Sequence, residues 1–402
     1  MEQIVFDDVK ILEITSGVVG PLGTRYLADN GATVVRVESL TRPDILRLSM
    51  PYKSNEPGVD NAGYFAYINS NKYSMALNMR HPKAAEVKKK LVAWADAVVE
   101  NYTPGVMERW GLGYDELRKI KPDIIMVRAS AQGQSGPHSY LPMYGFQLSS
   151  FCGFSHLSGW SDRKPLALGV AYTDILCPRF VAIALITALD YKRRTGKGQV
   201  IDISEVESSL QFLIPPTLEY VVNNKIATRQ GNSCDYAAPH GVYRCKGIDR
   251  WCAIAVFNDQ EWENFCQVLG NPLWTESFST LKARKQNEKE LNRLIEAWTI
   301  NIAAEEVAEA MQAGGVAAAL VKNPADIFND PQLKERNAFW LLNHRQIGRV
   351  SSLGQSFKLS KTPTKEPMPA PCLGEHTEYI CKEFLSMTEE EFDKLLIENV
   401  FE

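Results

Sequence analysis

Apolar and polar positions alternate in an α/β pattern from the start of the chain. Residues 9–14 (VKILEI) form a short apolar run typical of a buried strand, and residues 33–37 form a second, β-branched run. The stretch between them begins with glycines and Pro21, and proline suits the first turn of a helix because its missing N–H would be unpaired there. The pattern therefore predicts a βαβ unit with a right-handed crossover.

The same alternation continues over the next 190 residues or so. It predicts an amphipathic helix at residues 82–95, a short strand at 98–99 and a buried strand at 123–127. An apolar helix at residues 182–190, a strand at 200–203 and one long helix at 205–222 follow. Strands that alternate with helices in this way favour an α/β fold with a doubly wound parallel sheet.

The pattern changes near residue 225. Residues 241–245 and 251–256 predict a hairpin, and helices are predicted near 259–269, 287–298 and 303–313. The chain then returns to the first domain and ends in an acidic helix near 388–398. We therefore expect a large α/β domain of residues 1–224 and 326–402, built from both chain ends, and a smaller α+β domain of residues 225–325.

Composition and charge narrow the range of functions. The 402 residues carry a formal net charge of −4, which gives no global reason to bind nucleic acid. Residues 1–10 lack the pattern of a secretory signal, and the longest strongly apolar run, residues 180–189, is too short to span a bilayer, so no membrane association is expected. Eight cysteines without CxxC spacing and six dispersed histidines predict reduced thiols, no metal site and a cytoplasmic protein.

Three common catalytic or nucleotide-binding motifs do not fit this sequence. Gly17, Gly20 and Gly23 follow the first strand, but their spacing is not the GxGxxG of dinucleotide-binding folds. The sequence also contains no GxxxxGK[ST] phosphate-binding loop, and residues 145–159 contain no GxSxG.

A series of short motifs runs in order through nearly the whole chain. They are Gly20-Pro21, Gly31-Ala32, Val37-Glu38, Asn69-Ser70-Asn71-Lys72, Leu77-Asn78-Met79-Arg80, Glu100-Asn101-Tyr102, Pro104-Gly105, Gly133, Arg194-Thr195-Gly196-Lys197-Gly198-Gln199, Asp330-Pro331 and Leu373-Gly374-Glu375-His376. In these motifs the sequence resembles the class III CoA-transferases, which include formyl-CoA:oxalate, carnitine and benzylsuccinate CoA-transferases and the related α-methylacyl-CoA racemases. The resemblance implies a dimer of two interlocked, ring-like monomers.

Asp174 lies in the segment AYTDILCP (residues 171–178), just before the predicted apolar helix. Taken alone, it is typical of a helix N-cap. The resemblance places it at the family's nucleophile, which implies an aspartyl-CoA thioester intermediate. CoA thioesters would then be substrates, and no tightly bound cofactor is expected.

The resemblance also supplies candidate CoA contacts. Arg80 and Arg109 match positions that contact CoA, and arginine suits phosphate oxygens because it donates two parallel hydrogen bonds; alone, each is typical of a solvated helix face. The other matching positions are Met79, Asn101, Tyr102, Val18 and Val19, the last two in a loop whose backbone approaches CoA.

Several positions depart from the oxalate-specific members. Val18 replaces a glutamine of those members and Gly145 a glutamate, while Pro178 replaces a glycine that is frequent in the family as a whole. The smaller, apolar residues favour a bulkier acyl group, so the preferred reaction moves CoA from succinyl-CoA to a bulky or aromatic succinate.

Two alternative functions stay open. One is an α-methylacyl-CoA racemase, although Tyr144-Gly145-Phe146 lacks the histidine of that branch. The other is a subunit with a mainly binding role in a heteromeric CoA-transferase. The expected assembly is thus a homodimer, or a heteromer with a homologous subunit. Residues 237–241 replace a longer glycine-rich loop of some members, so the oxyanion donors stay unassigned.

Overall fold

The computed structural model describes residues 4–364 and 366–402. The chain divides into two units. The large unit contains residues 1–154, 167–224 and 332–402, and the small unit contains residues 155–166 and 225–331. This division places residues 155–166 and 326–331 with the small unit, whereas the sequence pattern assigned them to the large domain.

A six-stranded, fully parallel sheet forms the centre of the large unit, in the order β3-β2-β1-β4-β5-β6. In an open sheet of this kind, ligands bind beside the carboxyl ends of the strands. The strands are β1 (Lys10–Ile14), β2 (Thr33–Glu38), β3 (Tyr73–Ala76), β4 (Ala97–Glu100), β5 (Ile125–Ser130) and β6 (Val200–Ser204).

The α-helices of the chain are α1 (Val19–Ala28), α2 (Gly63–Ile68), α3 (Ala84–Trp94), α4 (Val106–Arg109), α5 (Tyr114–Ile120), α6 (Gly145–Phe151), α7 (Phe154–Leu157), α8 (Tyr172–Thr195), α9 (Glu205–Leu210), α10 (Ile214–Asn223), α11 (Asp259–Val268), α12 (Leu281–Gln286), α13 (Glu288–Thr299), α14 (Ala304–Ala313), α15 (Pro324–Asn329), α16 (Pro331–Glu335), α17 (Thr377–Tyr379) and α18 (Glu389–Ile397). Short 3₁₀ turns occur at Ile45–Leu48, Lys53–Asn55 and Leu273–Phe278, and a π turn at Ile380–Phe384.

Successive side chains of the strands point to opposite faces of the sheet, and each face is covered by helices. Leu12 and Ile14 of β1 pack with α3, α5 and the C-terminal α18, while Ile11 packs on the opposite face with α1 and α8. Burying each such aliphatic side chain contributes about 1.5–3 kcal/mol. The large unit is therefore doubly wound, as the sequence predicts.

Helix α8 crosses the sheet in close contact with α1. A Cβ added to Gly23 of α1 would lie 2.7 Å from Cβ of Val181, so the two helices approach at a position where only glycine fits. In the described part of the chain, α8 is the one helix long and apolar enough to cross a membrane, and half of that apolar stretch is buried inside the protein. The buried apolar side chains of α8, among them Val181, Leu185 and Leu189, belong to the core of the large unit.

Two helix predictions were wrong in extent. The predicted helix 182–190 begins ten residues earlier, at Tyr172, and Pro178 lies inside it. The predicted long helix 205–222 is two helices, α9 and α10, because Pro215 and Pro216 suit a new first turn but not the middle of a helix.

A cluster of buried charges lies beside the carboxyl ends of β1 and β2. Glu13 accepts hydrogen bonds from Lys72 Nζ (2.8 Å), Thr15 Oγ1 (2.9 Å), Thr24 and Arg36. Burial opposes ionisation of Glu13, but Lys72 and Arg36 lower its pKa to about 2. The cluster is therefore a compensated set of charges that connects the first strands and helices.

The small unit contains its own sheet and core. Strands β7 (His240–Arg244), β8 (Trp251–Ala255) and β9 (Ala317–Leu320) form an antiparallel sheet in that order. Helices α11, α13 and α14 supply Phe265, Leu291 and Val307 to its apolar cluster. In the large unit, strands β10 (Phe339–His344) and β11 (Gly348–Leu353) form a separate hairpin.

Candidate functional site

Asp174 lies in the first turn of α8, where its carboxyl group is largely removed from water. The N-cap of α8 is Ala171, so the interpretation of Asp174 as an N-cap was wrong by three residues. Oγ1 of Thr173 lies 3.4 Å from Asp174 Oδ1 and 3.3 Å from the carbonyl oxygen of Gly145. Burial raises the pKa of Asp174, although the Thr173 hydroxyl and the backbone N–H of Asp174 oppose the shift.

Gly145, the first residue of α6, lies directly against this carboxyl group. A Cβ added at this position would overlap Asp174 Oδ1 and lie 2.6 Å from the Ala171 Cβ. The absence of a side chain therefore lets the backbone of α6 approach Asp174, and any larger residue would displace the carboxylate. This close approach gives a physical reason for the glycine that departs from the family pattern.

A second carboxyl group, that of Glu205, lies beside Asp174. Glu205 is the first residue of α9, and its side chain is within hydrogen-bonding reach of both Asp174 and Thr173. Burial raises the pKa of Glu205 well above its ordinary value, and the negative charge of Asp174 raises it further. The sequence analysis missed Glu205, because no short-range motif connects α8 with a residue that follows β6.

A cavity of about 570 Å³ lies beside the carboxyl ends of β1 and β2. Its volume is within the usual range for small-molecule sites, about 300–1,000 Å³. Arg42, Arg80 and Arg109 line it and are exposed to solvent, so their guanidinium groups are accessible to an anionic ligand. Tyr102 and Trp110 line it as well, with ring centroids 5.2 Å apart in an edge-to-face arrangement.

Asp174 is not among the residues that line the cavity, but a residue of the cavity directly precedes one that contacts Asp174. Tyr144 lines the cavity, and the next residue, Gly145, contacts the Asp174 carboxylate. The arrangement combines cationic side chains that suit phosphates with a carboxylate that suits nucleophilic attack. A shallower cavity of about 350 Å³ lies in the small unit, but its lining residues include no arginine or lysine, so it does not suit a phosphorylated ligand.

Four of the seven residues predicted to contact CoA line the cavity: Met79, Arg80, Tyr102 and Arg109. The other three lie outside its lining. Asn101 accepts a hydrogen bond from the Ser16 N–H (2.8 Å) and donates to the Ser16 carbonyl (2.7 Å), so it shapes the loop after β1. Val18 and Val19 are buried in apolar clusters, and their side chains face the core.

The sequence analysis missed Arg42, Trp110 and Tyr144, which also line the cavity. Arg42 follows the carboxyl end of β2, the edge of an open sheet where ligands bind, so strand order would have identified it. Strand order could not have identified Tyr144 or Trp110, because neither residue follows a strand. Tyr144 directly precedes helix α6, and Trp110 directly follows the single turn of helix α4.

Comparisons with known proteins agree on one family. The sequence profile described as CoA-transferase family III matches residues 6–377. The chain is 32% identical to Succinyl-CoA:glutarate CoA-transferase of Mus musculus, over 98% of this chain and 90% of the relative. It is 31% identical to Succinyl-CoA--D-citramalate CoA-transferase of Chloroflexus aurantiacus, over 98% of this chain and 97% of the relative.

The fold agrees with a solved structure. A CAIB/BAIF family protein from Brucella suis superposes with a TM-score of 0.86 at 29% sequence identity, covering 95% of this chain and 100% of that one. The relatives named above are CoA-transferases, and the matched sequence profile extends over both units of the chain. This chain therefore belongs to CoA-transferase family III and is a CoA-transferase.

Proposed function

We propose that Asp174 is the nucleophile that carries CoA between two carboxylic acids. The observation behind this proposal is the position of the Asp174 carboxylate next to Gly145, which follows a residue of the arginine-lined cavity. The carboxylate would be the reacting end of the site, and the cavity would hold the nucleotide end of CoA. No ATP is required, because the thioester energy is retained at each step.

The proposed reaction consists of paired exchanges. Ionised Asp174 attacks the acyl-CoA carbonyl and expels the CoA thiolate, which leaves a mixed anhydride. The thiolate then attacks the aspartyl carbonyl, releases the first acid and leaves an aspartyl-CoA thioester. The second acid attacks this thioester to form a new anhydride, and the thiolate attacks its acyl carbonyl to regenerate Asp174.

The preferred donor is succinyl-CoA, the donor in the names of the two curated relatives. The preferred acceptor is a dicarboxylic acid of the succinate type with a bulky or aromatic substituent, because Gly145 places no side chain beside Asp174 and Val18 is apolar. The relatives' names give glutarate and D-citramalate as acceptors, so unsubstituted and small substituted dicarboxylates are the competing class.

A panel of acyl-CoAs and free acids, followed by mass spectrometry, tests the substrates. Incubation with the active acyl-CoA and hydroxylamine should modify Asp174, and an Asp174→Ala variant should transfer no CoA. CoA transfer by the Asp174→Ala variant at the wild-type rate would overturn the proposed mechanism. Loss of the α-hydrogen of a chiral acyl-CoA in deuterated water, without CoA transfer, would instead identify a racemase.

Arg80 and Arg109 are proposed to bind CoA phosphates, with Arg42 as a further cation of the same cavity. An Arg109→Ala variant should raise KM for the acyl-CoA by about tenfold with little change in kcat, since phosphate binding is the same in ground and transition states. Arg118→Ala is the matched control, because Arg118 is exposed on neighbouring α5 outside the cavity lining. Equal KM values for both variants would place the phosphates elsewhere.

Met79, Tyr102 and Trp110 are proposed to contact the nucleotide of CoA. Asn101 and the backbone of Val18 and Val19 are proposed to shape the loop beside the nucleotide.

We further propose a homodimer with interlocked rings. Helix α10 supports it, because this helix has no buried residue and exposes Ile214, Leu218, Val221 and Val222. Full activity of the isolated chain as a dimer is expected, whereas activity that needs a second, homologous chain would indicate a heteromer.

The cellular location proposed is the cytoplasm. All eight cysteines are free and buried, which suits a compartment that keeps thiols reduced.

A further inference from the structure

Glu205 is a buried acidic residue, and within residues 4–364 and 366–402 no cation is among the neighbours that shift its pKa. Its side chain extends from the start of α9 towards the first turn of α8, and the residue is 7% exposed. Within the described part of the chain, Glu205 Oε1 has no hydrogen-bond donor, although it is fully buried. Such an oxygen is tolerated in a neutral carboxylic acid far better than in a carboxylate.

Among the described residues, three titratable groups surround this pair of carboxyl groups. Cys152, at the end of α6, and Cys177 of α8 face Glu205, and burial raises the pKa of both thiols, that of Cys152 to about 11. Tyr64 of α2 faces Asp174, and burial raises the pKa of its hydroxyl as well. The neighbours of Glu205 other than Asp174 therefore stay neutral near pH 7, and they offer no positive charge to a second carboxylate.

Two adjacent carboxyl groups in such a site cannot both be ionised, so one proton is shared between them. Asp174 is the better place for the negative charge, because its own backbone N–H stabilises it, whereas the Thr173 hydroxyl stabilises either carboxylate. The start of α9 favours ionised Glu205, but a helix of six residues offsets burial beside a carboxylate only in small part. The proton therefore belongs to Glu205.

We infer that Glu205 is a second catalytic residue: an acid that stays protonated near neutral pH and donates a hydrogen bond to the Asp174 carboxylate. This inference rests on the proposed role of Asp174 as the nucleophile. The hydrogen bond holds one oxygen of Asp174 and leaves the other oxygen free to attack the acyl-CoA carbonyl. The hydrogen bond also keeps Asp174 ionised away from water, because the Glu205 O–H stabilises the charged carboxylate.

The same O–H group has a second use later in the reaction. When Asp174 is an anhydride or a thioester, the Glu205 O–H faces the aspartyl carbonyl oxygen, which becomes negatively charged when a thiolate or a carboxylate attacks. The proton stays on Glu205 throughout, and no bond to Glu205 forms or breaks. Glu205 thus supplies one oxyanion donor that the sequence left unassigned.

The test compares Glu205→Gln and Glu205→Leu with a control, Glu207→Gln, whose residue is exposed on the same helix. Wild-type kcat should fall at high pH, where Glu205 loses its proton. Glu205→Gln should keep kcat within about threefold and lose this alkaline limb, because an amide donates without titrating. Glu205→Leu should lower kcat by about 10- to 100-fold and move the acid limb to higher pH, because the donor to Asp174 is gone.

Infrared difference spectroscopy provides a readout that does not depend on activity. The carbonyl band of a protonated, buried carboxylic acid should be present in the wild type and in Glu207→Gln and absent in Glu205→Gln. Survival of that band and of the alkaline limb in Glu205→Gln would overturn the inference, as would wild-type kcat in Glu205→Leu. If Glu205→Leu does not fold, Glu205→Gln decides alone. The proposed function is tested separately. It fails if an Asp174 variant still transfers CoA, and that result does not depend on the infrared carbonyl band of Glu205.

Discussion

Two groups of buried carboxylates in the large unit have opposite electrostatic environments. Glu13 is fully buried and has Lys72 and Arg36 as charge partners, which hold its pKa at about 2. Glu205 is buried beside the partly buried Asp174, no cation among the described residues shifts either pKa, and burial raises the pKa of both. The first group is neutralised by its neighbours, and the second keeps an uncompensated charge.

The difference separates a structural carboxylate, Glu13, from the proposed nucleophile, Asp174. A paired buried charge contributes little net stability, but removal of one partner costs about 3–5 kcal/mol. An unpaired buried carboxylate opposes folding, and sites that combine burial with a like charge are typical of catalytic centres. Substitutions in the two groups should therefore affect different properties: stability for Glu13 and catalysis for Asp174.

The largest expected effect is on catalysis at Asp174. Asp174→Asn keeps the shape of the side chain but removes the nucleophilic oxygen, so kcat for CoA transfer should fall by about 10⁴-fold or more. The measurement is steady-state transfer with the best substrate pair of the panel. Asp190→Asn is the control, because Asp190 is exposed at the other end of α8 in a surface ion pair with Arg194, and it should leave kcat unchanged. If kcat fell only modestly in Asp174→Asn, Asp174 would not differ from Glu13 in its importance for catalysis.

The next effect is on stability at Glu13. Glu13→Gln leaves Lys72 buried without its carboxylate, so the free energy of unfolding should fall by about 3–5 kcal/mol, measured by urea titration with circular dichroism. Glu116→Gln, which breaks a surface ion pair with Lys119, should cost less than about 1 kcal/mol. Folded Glu13→Gln protein should keep its kcat, and a selective loss of kcat would mean that the cluster takes part in the reaction.

The acid stability of the protein depends on the same cluster. The folded-state pKa of Glu13, about 2, lies below its ordinary value of 4.5, so its stabilisation is present above 4.5 and is lost as the pH falls towards 2. That difference corresponds to about 3 kcal/mol. Urea midpoints of the wild type should therefore decline steeply in this window. Parallel decline in Glu13→Gln would assign the acid lability to other carboxylates.

The architecture of the large unit was largely predictable, because apolar runs with a strand period alternate with helical ones. Strand β3 was missed because residues 73–76 (YSMA) include a polar serine, whose hydroxyl donates to the Glu38 carboxylate at 2.9 Å. The hairpin of β10 and β11 was missed because its two strands lack a regular alternation. Local propensity cannot reveal a strand whose partners are set by tertiary contacts.

The candidate site was predictable only where the family resemblance reached it. Asp174, Arg80 and Arg109 came from motifs, and the structure adds what motifs cannot encode. Glu205 follows Asp174 by 31 positions, and the proximity of their carboxyl groups depends on how α8 and α9 pack. Arg42 lines the cavity because β2 lies next to β1, which is a property of strand order.

The smallest expected effect is on stability at Asp174. Its sign is opposite to that at Glu13, because the substitution should stabilise the protein. Asp174→Asn removes the uncompensated charge and lets an amide replace it, so stability at neutral pH should rise by about 1 kcal/mol, seen as a higher Tm. The folded-state pKa of Asp174 is raised, so ionisation opposes folding above the ordinary pKa, and this penalty disappears as the pH falls. The advantage of the variant should shrink accordingly in acid. Destabilisation by Asp174→Asn at neutral pH would place Asp174, like Glu13, among the structural carboxylates.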